Sequence, residues 1–239
     1  MESKVPTYKR VLLKISGEAL AGDKKTGFDF DIVTSVCESV KKIAELGVEV
    51  GIVVGAGNFW RGVKDGAGKV ERVSADRMGM LGTAMNCLAV NDVFRQIGAK
   101  SRIMTAFDIQ GVGERYDTRK AKEYLAAGEI VLFACGSGNP FFSTDTASVL
   151  RAAEIRADVI LLAKNIDGVY SADPKVDPNA VRYDSISYDE VLAQHLAVMD
   201  TTATSLAMDN HIPVLVFALK DSENIVRAVM GEAIGTTVN

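Results

Sequence analysis

Cysteine and histidine are scarce in this 239-residue chain, which has three of the first and two of the second. Cys37, Cys87 and Cys135 are odd in number, far apart and form no C-x-x-C pair. That pattern argues against a disulfide framework and against a thiolate metal site. His195 and His211 alone are too few soft ligands for a zinc centre, so no metal set on the protein itself is expected. With only 5 prolines among 239 residues and 21 glycines in no repeating pattern, the chain is neither collagen-like nor proline-rich and disordered. Long apolar runs are also missing. Val214 to Leu219 is one of the longest, far short of the ~20 residues of a membrane helix. Met1 to Arg10 is polar and basic without a leader's apolar stretch, so a cytoplasmic protein with no membrane partner is expected. Positive charge is in deficit, with 27 Lys and Arg against 31 Asp and Glu and a net charge of −4. No general attraction for nucleic acid follows from that balance. An anionic ligand would have to be met by cations gathered locally.

What is present is a 48% apolar chain, of a size that buries roughly 70–75% of its unfolded surface. Short apolar runs alternate with longer segments of helical period, the signature of an α/β fold with a largely parallel sheet. Strands are expected at Val11–Ile15, Val48–Val54, Ser101–Thr105, Ile130–Cys135, Val159–Ala163 and Val214–Leu219. Most are continuous rather than alternating, as when helices cover both sheet faces. Asp29 or Asp31 can cap a helix with Ile32, Val36, Val40 and Ile43 on one face, stopped by Gly47. Further helices are expected from Asp76 to Ile97, Thr144 to Ala157, Ser187 to Leu196 and Thr201 to Asn210. Ser187 and Glu190 make a capping box, and Asp221 or Ser222 can cap a last helix ending at Gly231. Gly62–Val73 reads as a polar loop and Tyr170–Asp184 as an irregular excursion, neither a domain linker. A single domain over residues 1–239 is the expectation.

Three glycine-bearing loops directly follow predicted strands. They are Lys14-Ile15-Ser16-Gly17-Glu18, Gly55-Ala56-Gly57-Asn58 and Gly136-Ser137-Gly138-Asn139-Pro140. Ligands of open α/β sheets sit at the carboxyl ends of strands. Glycines there let backbone N–H groups approach phosphate oxygens, although strand-to-helix turns use glycine for steric reasons too. There is no Walker loop and no G-x-G-x-x-G after the first strand, so a P-loop kinase and a standard dinucleotide dehydrogenase are disfavoured. Lys14 is either a phosphate ligand or an edge-strand lysine whose ammonium reaches solvent. Arg61 delivers a cation to the same end of the next strand, or makes a surface ion pair. Asp76 is either a ligand or a dipole-stabilising acid at a helix start. Thr144 reads as an N-cap, Asp167-Gly168 and Asp173-Pro174 as turns, and His195 as a packed or surface residue.

Around these loops run Tyr8-Lys9-Arg10-Val11-Leu12-Leu13-Lys14-Ile15-Ser16-Gly17-Glu18-Ala19-Leu20, Gly57-Asn58-Phe59-Trp60-Arg61-Gly62 and Ala75-Asp76-Arg77-Met78-Gly79-Met80. Further along come Gly138-Asn139-Pro140-Phe141-Phe142-Ser143-Thr144-Asp145, Asp167-Gly168-Val169-Tyr170-Ser171-Ala172-Asp173-Pro174 and Val198-Met199-Asp200. In these stretches the sequence resembles the bacterial uridylate (UMP) kinases of the amino acid kinase superfamily. The resemblance covers essentially the whole chain in order. The resemblance implies a three-layer αβα sandwich that transfers the γ-phosphoryl group of ATP to UMP in pyrimidine nucleotide biosynthesis. It also implies Mg²⁺ carried with ATP, and a homohexamer with GTP as activator and UTP as inhibitor.

Residue by residue, the resemblance assigns Lys14, Ile15, Ser16, Gly17, Gly57 and Arg61 to ATP phosphates and the transferred group. Asn165, Tyr170 and Asp173 would hold the adenosine side. UMP would be held by Ala56, Asp76 and the run Ser137, Gly138, Asn139, Pro140, Phe141, Phe142, Ser143 and Thr144. Asp145 and Asp200 would position Lys14 or magnesium-bound phosphate. The sequence departs at Ala56, where many members have a third glycine, and at Ser137, where many have Thr. Ala21–Thr26 is longer and more basic than in some members. A carboxylate kinase of the same fold, such as an acetylglutamate or aspartate kinase, is a second reading. The chain's end at Asn239 without a regulatory domain disfavours the aspartate enzyme. A non-catalytic oxyanion-storing relative is a third, against which Lys14, Arg61 and Asp145 together argue.

Overall fold

The computed structural model describes residues 5–61 and 68–239. Residues 1–4 of the basic N-terminal stretch and 62–67 of the expected Gly62–Val73 loop lie outside the described residues. The strands are β1 Arg10–Ile15, β2 Glu49–Val54, β3 Ser101–Thr105, β4 Glu114–Arg115, β5 Ile130–Ala134, β6 Val159–Lys164, β7 Ser185–Ile186, β8 Val214–Ala218 and β9 Thr236–Val238. The helices are α1 Gly17–Ala21, α2 Phe30–Glu45, α3 Arg72–Gln96, α4 Thr118–Ala126, α5 Thr144–Ile155, α6 Tyr188–Ala193, α7 Thr201–Asp209 and α8 Glu223–Val229. Among the described residues, no helix is long and apolar enough to cross a membrane.

The strands form one sheet in the order β4-β3-β5-β2-β1-β6-β8-β9-β7. Every neighbouring pair is parallel except β8 with β9. Side chains along β1 alternate between two cores. Val11, Leu13 and Ile15 pack with α2, α3 and α8, whereas Leu12 packs with α4, α5, α6 and α7. This period of two puts a helical layer on each face and gives the αβα sandwich. Lys14, an even residue, points to the face covered by α5. In register it lies beside Val53 of β2 and Leu162 of β6. The three glycine loops therefore leave the same edge of the sheet.

The six expected strands are present. Three short ones, β4, β7 and β9, were not expected, nor were α1 and α4. Helix α4 is largely polar and buries only Ala121 and Leu125, so its apolar signal is thin. Helix α3 begins at Arg72, four residues before the expected start at Asp76, because Glu71-Arg72-Val73-Ser74 carries polar residues that fit a helix as well as a loop. Asp29 caps α2 by accepting from the Asp31 N–H, and the Ser187–Glu190 capping box is formed. The cap of α8 divides between Ser222 by position and Asp221 by its side chain, which accepts from the Glu223 N–H at 3.0 Å.

All three cysteines are free and buried. Burial disfavours the thiolate, pushing Cys37 up to about 12 and Cys135 up to about 11. The folded protein should therefore consume almost no aromatic disulfide reagent at pH 8, while the denatured chain titrates for three thiols. Rapid labelling of any cysteine in the native state would contradict this burial.

Candidate active site

The site starts where β1 ends. Ser16 caps α1, its hydroxyl accepting from the Ala19 N–H at 3.2 Å. Gly17 then passes so close to the second loop that a Cβ there would lie 2.3 Å from Asn58 Oδ1 and 2.5 Å from the Gly55 carbonyl. Only glycine fits. The second loop is held from below by a pair of buried amides. Asn58 and Asn86 each donate to the other's oxygen at 2.9 Å, Asn58 also donates to the Gly27 carbonyl and Asn86 to the Gly55 carbonyl. The third loop leads to Ser143, which caps α5 by accepting from the Thr146 N–H at 3.1 Å.

Lys14 is not the edge-strand lysine of the alternative reading. It lies in the central strand and is 8% exposed, with its ammonium 2.8 Å from Asp145 Oδ1 in the first turn of α5. A charge this buried requires a partner of opposite sign, and the α5 layer supplies it. Arg61 pairs with Glu18 at 2.5 Å, with both side chains about half exposed. Asp200 does other work. It caps α7 by accepting from the Ala203 N–H, and it also accepts from the hydroxyls of Ser143 and Thr146. It thus joins the starts of α5 and α7.

Asp76 lies in the second turn of α3, beyond the reach of a dipole-stabilising role at the helix start. Its carboxylate accepts from Arg72 Nε and, at 2.7 Å, from the backbone N–H of Phe141. Arg72 in turn stands 5.1 Å over the Phe141 ring.

Two clefts open at this edge, of about 550 and 750 Å³. They share Lys14, Ser16 and Glu18. The first is also lined by Gly17, Ala56, Gly57, Arg61, Asp76, Ser137, Phe141, Phe142, Ser143, Thr144 and Asp200. The second is lined by Asn165, Tyr170 and Asp173. Gly138, Asn139, Pro140 and Asp145 line neither cleft, and Ile15 is fully buried in the core.

Several lining residues escaped the sequence reading: Glu18, Trp60, Arg72, Thr83, Lys164 and Thr202, with His195 at the second cleft. Lys164 was findable, since it closes an apolar strand and Lys14 stands next to last in another. Its ammonium donates to the carbonyls of Val198 and Ala197. Burial pulls its pKa below the usual lysine range, opposed by Asp145 and assisted by Lys14. Among the described residues no group of three or more His, Cys, Asp or Glu side chains could hold a metal ion. Asp145 pairs with Lys14, and Asp200 is engaged at the starts of α5 and α7.

A family model, the amino acid kinase family, matches residues 9–218. This chain belongs to the amino acid kinase family. Among solved structures, UMP kinase from Bacillus anthracis is 38% identical with a TM-score of 0.93, covering 97% of this chain and 96% of that one. UMP kinase from Ureaplasma parvum is 33% identical with a TM-score of 0.91, covering 97% and 98%. Uridylate kinase from Archaeoglobus fulgidus is 28% identical with a TM-score of 0.74, covering 96% and 99%.

For this amino acid kinase the amide pair under the second loop has a measurable worth. Asn86→Ala strands the Gly55 carbonyl and the Asn58 amide, and should lower stability by about 1–3 kcal/mol. Because both amides serve one contact, Asn58→Ala combined with Asn86→Ala should cost less than the sum of the two alone. Urea unfolding of the four proteins measures this; strict additivity would mean the amides act separately.

Proposed function

We propose that this chain is a UMP kinase, transferring the γ-phosphoryl group of ATP to UMP to give UDP and ADP in pyrimidine nucleotide synthesis. The observation that carries the reading is the meeting of two nucleotide-sized clefts on one buried lysine. Two UMP kinases aligned over nearly the whole chain support UMP as the acceptor. In this reading one domain holds both nucleotides. The second cleft takes the adenosine of ATP through Asn165, Tyr170 and Asp173. The first takes UMP through Ala56, Asp76 and the run Ser137 to Thr144.

The chemistry asks little of a general base. A UMP phosphate oxygen is already ionised at neutral pH and can attack directly. The obstacle is to hold two mutually repelling anions in line. Lys14 stands at the shared edge, and Asp145 fixes where its ammonium points. Arg61 adds positive charge at the rim, and Gly17 and Gly57 leave backbone N–H groups open to phosphate oxygens. Mg²⁺ bound to the ATP phosphates supplies further neutralising charge. Asp200 acts by holding the α5 and α7 starts together beside Lys14.

Self-association belongs to the same reading. Met78, Leu81, Met85 and Leu88 repeat along α3 at intervals of three and four, and each is more than two-fifths exposed. Such a seam on a helix suits a matching helix of another copy. It supports self-association; the homohexamer, with GTP as activator and UTP as inhibitor, is what the resemblance implies. The reading also includes a cytoplasmic location.

A coupled assay of ADP release with UMP, CMP and acetylglutamate tests the acceptor, and turnover with UMP is expected to dominate. Lys14→Met should lower kcat with UMP by about a hundredfold or more while moving the UMP KM little, since its contact strengthens in the transition state. Near-normal kcat in that variant would remove Lys14 from the chemistry. Asp76→Ala should lower kcat/KM for UMP by roughly ten- to hundredfold, the worth of a charged hydrogen bond. It should leave the ATP KM unchanged and narrow the preference for UMP over 2′-deoxy-UMP. A lower melting temperature with unaltered kinetics would make Asp76 purely structural.

A further inference from the structure

The loop that follows β5 contains two non-glycine residues in the left-handed region, Cys135 at φ +66° and Phe141 at φ +72°. L-residues are disfavoured there and stay only where the surroundings hold them. In both cases the residue's own N–H is bonded to a side chain of α3. Phe141 donates to Asp76 at 2.7 Å, and Cys135 donates to Thr83 Oγ1 at 2.8 Å. Asp76 and Thr83 are seven residues apart, two turns along one face of the helix.

Thr83 is buried at 4% exposure and lines the first cleft. Its hydroxyl has one proton, which goes to the Met80 carbonyl at 2.6 Å. That commits its lone pairs toward Cys135. Cys135 is followed by Gly136 at φ +58°, so the hydrogen bond sits where the chain reverses out of the sheet. We propose that Thr83 is a positioning residue for the acceptor nucleotide, its hydroxyl holding the left-handed Cys135–Gly136 turn from which the acceptor loop runs to α5. The identity of that acceptor as UMP rests on the function proposed above. Thr83 and the two ends of the loop, Gly136 with Ser137 and Phe141 to Thr144, line the first cleft and not the second, so the role is confined to the acceptor side.

Thr83→Val keeps the shape and removes the hydroxyl. It should raise the KM for UMP by about tenfold, as expected for a buried donor left unpaired, and leave the KM for ATP within twofold. Thr83→Ser should restore most of the lost UMP affinity. Because Cys135 is shielded in the native chain, Thr83→Val should also speed its labelling by a thiol reagent, with the labelled site read by mass spectrometry. An unchanged UMP KM in folded Thr83→Val, or equal impairment in Thr83→Ser, overturns the proposal. Should Thr83→Val not fold, amide exchange of the wild-type chain labelled with ¹⁵N-cysteine decides. A protected Cys135 amide supports the role, and a freely exchanging one ends it. If the wild-type chain does not phosphorylate UMP, the acceptor reading fails by itself, and the labelling and exchange measurements still judge Thr83.

Discussion

A lysine ammonium at the carboxyl end of the central strand is the constraint around which this edge of the molecule is arranged. Flanked by β2 and β6, Lys14 is held within the sheet, 8% exposed, and what surface it has left faces the two clefts. The period of two along β1 turns it to the α5 side, and Asp145 meets it there. That pairing dictates where α5 must begin, hence where Ser143 must cap and where the third loop must end. Asp200 then fastens a second helix start to the first. A buried pair of this kind is weak as a source of stability. Its value lies in fixing a cation between two cavities.

The second organising element is α3, whose two sides do different things. Its inner side is polar for a buried surface: Asp76, Thr83 and Asn86 each bond to loop backbone. Two of the glycine loops therefore take their geometry from one rigid rod, which suits a site that must hold reacting groups to a fraction of an ångström. The outer side carries the exposed apolar seam. Any partner seated on that seam would touch the same rod that holds the third glycine loop.

Much of this was legible in the amino-acid order. Continuous apolar runs marked the six main strands because a parallel sheet covered on both faces needs no polar alternation. The glycine loops at their ends marked the edge that carries the clefts. Short elements were not legible, since the two residues of β4 and of β7 show no period, and α4 offers only two buried side chains. Lys14 could be read as an edge residue because a strand's place in the sheet is set by topology, which periodicity does not encode. Thr83 and Asn86 carry no signal of their own within a helix of ordinary appearance, for their partners are distant in sequence. The beginning of α3 is not legible because a polar first turn and a polar loop look alike.

Ala56 and Gly82 show how such a site can drift. Position 56 is buried, and a methyl group added to Gly82 would come within 3.0 Å of the Ala56 methyl. The space between loop and helix holds one methyl comfortably and two only with a shift of backbone. Alanine at 82 would therefore push the second loop away from α3 by a few tenths of an ångström, and glycine at 56 would remove that pressure. The spacing between loop and helix is thus set by a single methyl group.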